Sequence, residues 1–238
     1  IRAARALVGG ETATLAAPGG ARTVRAARIV AAGRRAPNLD GLGLSELGVR
    51  IGGRGIEVDH RGRSSVPSVY AAGDVAGHDG LAHIARHDAL TATQDMFGGR
   101  SAREVVTTRC VFADPELASA GLTSVEAVAR FGPDSVDVHH VDLASSLRAR
   151  VDGIHDGAVV LVTAGRRIVG AHVLSPSAGE MIHGFALAIG HRMSLDDLTG
   201  VVQASPTLTS SLERLSPGSA ATTTRDRRRH PIRRRRSA

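Results

Sequence analysis

Apolar and polar positions change rhythm several times along the chain, and each change predicts an element. Before residue 33, short apolar runs are broken at Gly9-Gly10 and Pro18-Gly19-Gly20, the punctuation of brief β segments. The last of these runs, Ala27-Arg28-Ile29-Val30-Ala31-Ala32, reads as a strand ending at Gly33. A loop rich in Gly, Pro and Asn follows. Ile56-Glu57-Val58-Asp59 then alternates with the period of two expected of a hairpin strand. Ser68-Val69-Tyr70-Ala71-Ala72-Gly73-Asp74 predicts a buried strand running into a Gly-rich turn. Over residues 81–97 the spacing becomes helical, offering Leu81, Ile84, Ala85, Leu90 and Met96 to a buried face.

Beyond residue 105 the pattern becomes strand-rich, with runs at 108–112, 136–141, 158–163 and 167–174. Three capping boxes mark helix starts, each an N-cap hydroxyl with an acid three residues on: Thr123 with Glu126, Ser177 with Glu180, and Ser194 with Asp197. The helix after Ser177 carries Met181, Ile182, Phe185 and Ile189 as a core-facing stripe. A last helix is expected after Pro206. Residues 216–238 pass through Ser, Ala and Thr into arginines; they have too little apolar surface to order and predict a disordered tail. The fold class expected is α+β.

Composition narrows the picture. Aromatic residues make up only 2% of the 238, so a core must be built from Ala, Val, Leu and Ile. No apolar run approaches the roughly 20 residues of a membrane span, and no leader-like segment opens the chain, so a cytoplasmic setting without membrane contact is expected. The net charge of +7 belongs to residues 225–238, where eight arginines face one acid, Asp226. No aromatic residue interleaves with them, so no specific nucleic-acid partner is expected. Cys110 is the single cysteine, which excludes an intrachain disulfide and any two-thiolate zinc site. His83 and His87 have metal-ligand spacing but no matching carboxylate, so no metal is expected.

The chemistry concentrates at Gly73-Asp74. A glycine at the end of a strand lets a ligand approach the backbone, and a carboxylate there can accept hydrogen bonds from sugar or polyol hydroxyls. Several segments in order carry a wider pattern: Gly33-Arg34-Arg35-Ala36-Pro37-Asn38, then Val66-Pro67-Ser68-Val69-Tyr70-Ala71-Ala72-Gly73-Asp74, then Leu81-Ala82-His83. It continues with Phe112-Ala113-Asp114-Pro115-Glu116-Leu117-Ala118-Ser119-Ala120-Gly121-Leu122-Thr123, and with Ile168-Val169-Gly170-Ala171-His172 ahead of Ala178-Gly179-Glu180. Together they resemble the pyridine nucleotide–disulfide oxidoreductase family. That resemblance implies the end of an NAD(P)-binding domain at 1–34, the returning part of an FAD-binding domain at 35–105, and a dimerisation domain at 106–215 forming a homodimer.

Residue by residue, the resemblance implies that Asp74, beside Gly73, bonds the ribityl chain of FAD. Leu81, Ala82 and His83 would open a helix whose N-terminus faces the flavin, and Gly33 would lie beside NAD(P)H. The loop after Arg34 is one residue longer than the family pattern. Disulfide-reducing members use a His-Pro-Thr-x-x-Glu segment for acid–base chemistry; here Ser205 and Ser210 stand in the His and Glu places. A hydroxyl cannot hold a proton near neutral pH as imidazole does. The activity expected is therefore FAD-dependent electron transfer from NAD(P)H to a quinone-like or other small-molecule acceptor. The alternatives are a disulfide reductase of the dihydrolipoamide dehydrogenase or mercuric reductase type, and a catalytically silent dimerising fragment. A Gly-x-Gly-x-x-Gly loop and a Cys-x4-Cys pair would lie upstream of Ile1 in a full-length relative, so this chain alone is expected to hold FAD poorly. Gly52-Gly53-Arg54-Gly55 lacks the flanking strand and helix of a phosphate loop.

Overall fold

The punctuated run near the start forms an antiparallel hairpin, β1 (Thr12–Ala17) with β2 (Gly20–Arg25), in a computed structural model that describes residues 12–17, 20–25, 35–78, 80–99, 105–215 and 223–224. Gly33 and residues 225–238 lie outside the described residues. The chain divides into two units, residues 1–102 and 103–238. The architecture is α+β.

In the first unit, Gly52-Gly53-Arg54-Gly55 makes the turn of a two-residue ladder, β3 (Ile51–Gly52) against β4 (Gly55–Ile56). Leu44, Val49, Ile56 and Ala71 are buried together, with Leu39, Val66, Val69 and Val75 packed around them. The strand expected at 68–74 is not continuous. Pro67 sits inside a turn closed by the Val69 N–H donating to the Val66 carbonyl at 2.9 Å, so the chain doubles back on itself. Ser64 then pairs with Val69, and Ala71 with Gly62, through single bonds of 2.9 Å. Local turn chemistry has turned an apolar run into the return arm of a tight loop.

Helix α1 (Ala82–Met96) occupies the expected place but buries a different face. Ile84, Thr91 and Ala92 are buried, while Leu90 and Met96 are about half exposed at 55% and 50%. The inward stripe runs Ile84, Asp88, Thr91, Ala92, Asp95. Its acids are used for hydrogen bonds, which a search for large apolar side chains passes over.

The second unit is an antiparallel sheet with helices. In chain order it contains β5 (Thr108–Val111), β6 (Glu116–Gly121), α2 (Ser124–Phe131), β7 (Val136–Asp142), α3 (Leu147–Asp152), β8 (Ala158–Ala164), β9 (Arg167–Ser175), α4 (Ala178–Gly190), α5 (Leu195–Thr199) and β10 (Thr223–Thr224). The strand order is β10-β7-β8-β9-β6-β5. Ala118, Ala120, Val159, Leu161, Ala171 and Val173 of the sheet pack against Ala178, Ile182 and Phe185 of α4, with Met181 and Ile189 at the margin. Small sheet residues let the helix lie close, which is how a core almost without aromatics fills its volume. Phe97 and Phe112 are exposed and Phe131 is partly so, leaving Phe185 as the buried phenylalanine.

Two of the three capping boxes form, at Thr123–Glu126 and Ser194–Asp197. The third does not. Ser177 makes no side-chain cap; instead Glu116 Oε2, on β6, accepts the Gly179 N–H at 2.9 Å. The helix expected after Pro206 is a tighter 3-10 segment, Thr209–Leu215, which buries Leu212. Within the tail expected to be disordered, Thr223 and Thr224 pair with His139 and Val138. Without this pairing β7 would be the open edge of the sheet there.

Candidate functional site

Gly73 opens a short 3-10 turn, Gly73–Ala76, closed by Gly77 in the left-handed region. Gly73 has a φ of +73°, and a Cβ on it would lie 2.7 Å from Ala85 Cβ of α1. Only glycine satisfies both the dihedral and the contact. From the other side, Gly55 of the small hairpin presses on the same turn: a Cβ there would stand 2.4 Å from the Val75 carbonyl oxygen. The glycine run that is no phosphate loop is thus a support for this turn.

Asp74 is half-buried on the turn, and among the described residues its carboxylate has no hydrogen-bond or ion-pair partner. Arg35, in the lengthened loop, donates instead to the Gly80 carbonyl. Gly80 lies between the two groups: a Cβ on it would approach the Arg35 guanidinium and stand 3.3 Å from Asp74 Oδ2. Leu81 is the N-cap of α1 and supplies no side-chain cap; Ala82 and His83, the first helical residues, are exposed. An oriented helix terminus, its first N–H groups without a side-chain acceptor from the cap, therefore follows closely on the Asp74 turn. Gly73, Asp74, Leu81, Ala82 and His83 belong to one short stretch of the first unit; Gly33 lies outside the described residues.

Two carboxylates of α1 went unnoticed in the sequence. Asp88 accepts the Gly73 N–H at 3.1 Å. Asp95, its side chain only 5% exposed, accepts Tyr70 Oη–H at 2.7 Å, Arg61 at 2.9 Å and also Arg63. The Tyr70 hydrogen bond, with the Arg63 guanidinium beside it, holds the Asp95 carboxyl down at about 2. The signal available was their phase: both acids fall on the buried stripe of α1.

In the second unit, Ser205 is exposed and precedes Pro206 through a cis peptide bond. Ser210 donates its hydroxyl to the Thr207 carbonyl at 2.7 Å, and its N–H to Thr207 Oγ1 at 3.1 Å. Its side chain is spent on its own turn and does not orient Ser205. No acid–base dyad exists at these two positions. Cys110 is partly buried on β5, where burial, and secondarily the Glu116 carboxylate, push its thiol pKa up.

Comparison with known proteins places these features. Residues 6–89 match the family model described as pyridine nucleotide-disulphide oxidoreductase, and residues 107–216 match that family's dimerisation domain. The chain belongs to the pyridine nucleotide–disulfide oxidoreductase family. Such oxidoreductases bind FAD and NAD(P)H. The family member described here is 33% identical over 205 residues to a dihydrolipoyl dehydrogenase of Geobacillus stearothermophilus, covering 84% of this chain and 43% of that one. It is 34% identical over 184 residues to the human mitochondrial dihydrolipoyl dehydrogenase, covering 76% of this chain and 36% of the relative. It superimposes on LpdA of Mycobacterium tuberculosis with a TM-score of 0.76 at 25% identity, over 90% of this chain and 49% of that one. The fold is shared also with the HOCl-induced flavoprotein disulfide reductase RclA of Escherichia coli, at a TM-score of 0.71 and 22% identity, over 86% of this chain and 48% of that one. The chain thus spans less than half the length of these relatives. Among the described residues, no helix is long and apolar enough to cross a membrane.

Proposed function

We propose that this chain supplies the C-terminal part of an FAD-dependent NAD(P)H oxidoreductase and assembles as a homodimer through residues 106–215. The observation that carries the reading is Asp74: a half-buried carboxylate with no partner among the described residues, on a turn set by Gly73 and followed by an uncapped helix N-terminus. An orphaned acceptor there fits a polyol hydroxyl, and the positive helix end fits negative charge on a flavin ring. Bound FAD would supply the hydride chemistry; Gly73, Asp74 and residues 81–83 would bind and orient it, and Gly33 would adjoin the nicotinamide nucleotide.

For the acceptor, kinship with dihydrolipoyl dehydrogenases supports a disulfide over the quinone-like acceptor that Ser205 alone suggests. A quinone-like acceptor stays in view for one reason: neither Ser205 nor Ser210 can act as the imidazole and carboxylate of a dithiol reductase. The test uses a longer chain completed upstream with the remainder of both nucleotide domains. NADH- or NADPH-dependent turnover of lipoamide supports the disulfide reading, and turnover of a benzoquinone without lipoamide supports the other. A completed chain that retains no FAD overturns both.

A further inference from the structure

Asp88 Oδ2 accepts two hydrogen bonds, from the buried Gly73 N–H at 3.1 Å and from His78 Nδ1 at 2.6 Å. A carboxylate oxygen offers only lone pairs, so His78 Nδ1 carries the hydrogen and Nε2 is the lone-pair nitrogen whenever the ring is neutral. The two donors bracket the turn: Gly73 immediately precedes Asp74, and His78 follows the Gly77 that closes it. One oxygen on a rigid helix therefore ties down both ends of the segment that displays the Asp74 carboxylate. The glycine contacts with Ala85 and with Val75 limit how close the turn can come, but they do not pull it in.

We propose that Asp88 is a positioning residue, holding the Gly73–His78 segment so that Asp74 presents its carboxylate to the polyol of the flavin. The inference rests on the reading of Asp74 given above. It assigns Asp88 no contact with the cofactor. Its effect passes through the Gly73 N–H, which is buried and would otherwise have no acceptor.

Amide hydrogen exchange of the full chain tests this without cofactor. Asp88→Leu is expected to speed exchange at Gly73 by about tenfold, the scale of a lost hydrogen bond to a charged acceptor. Exchange at Ala71, bonded to the Gly62 carbonyl, should not change. Asp88→Asn keeps an acceptor oxygen and should restore most of the protection. His78→Ala removes an exposed ring at little risk to folding, and should speed exchange at Gly77, whose N–H donates to the Asp74 carbonyl. Unchanged Gly73 and Gly77 rates, or uniform acceleration across the unit, overturn the proposal. In the completed chain, FAD titration should show about tenfold weaker binding for Asp88→Leu and recovery in Asp88→Asn. Flavin affinity lost in Asp74→Ala but kept in Asp88→Leu overturns the role of Asp88 alone. Affinity kept in both overturns the reading of Asp74 as well.

Discussion

At the scale of single residues, the first unit depends on a few positions where geometry leaves no substitute. Gly73→Ala adds a methyl 2.7 Å from Ala85 Cβ on a backbone at φ +73°. The expected loss is on the order of 3 kcal/mol, read from urea unfolding of the first unit. Asp95 gives a signature in acid. Its carboxyl has a value near 3.8 when unfolded and about 2 when folded, so its contribution to stability is complete above pH 4 and drains away as pH falls from 4 toward 2. Thermal unfolding of wild type across that window should fall more steeply than that of Asp95→Asn; identical slopes would mean the Tyr70 and Arg63 bonds do not stabilise the fold. Cys110 should react slowly with alkylating reagents at pH 8 and quickly once unfolded, because burial raises its thiol pKa. Gly73 and Asp74 stood out in the sequence through the ordered segments around them, since a Gly-Asp pair by itself is common in turns. Asp88 and Asp95 were not, since a carboxylate on a helix normally reads as solvent-facing until its partners are known.

Elements tell a similar story about what pattern can and cannot carry. The strands at 136–142, 158–164 and 167–175 were plain because each carries several Val, Leu or Ile residues, the side chains that suit a pleated, half-buried surface. Strand β6 was not anticipated from its rhythm: in Glu-Leu-Ala-Ser-Ala-Gly the buried positions are Ala118 and Ala120, too small to register as a period. Capping boxes at Thr123 and Ser194 were read correctly, since both partners are local. The Ser177 box failed because a carboxylate distant in sequence took the place of the local hydroxyl. Accordingly, Ser177→Ala should change stability by less than about 0.5 kcal/mol, whereas Glu116→Ala and Thr123→Ala should each cost about 1 kcal/mol in chemical denaturation. Equal losses at Ser177 and Glu116 would contradict the observed cap.

At the scale of the whole chain, charge and architecture separate cleanly. The +7 excess resides in residues 225–238, so their deletion should abolish retention on a cation exchanger at neutral pH. Continued binding would place a basic surface elsewhere. The bond from Glu116 to Gly179 joins positions 63 residues apart, and it ties the start of α4 to a strand from which two helices, α2 and α3, separate it in the chain. A fragment starting at residue 122 would therefore lose more than β5 and β6: it would also unravel the first turn of the helix that seals the apolar layer. During refolding α4 should gain full protection only after β6 has zipped onto β9.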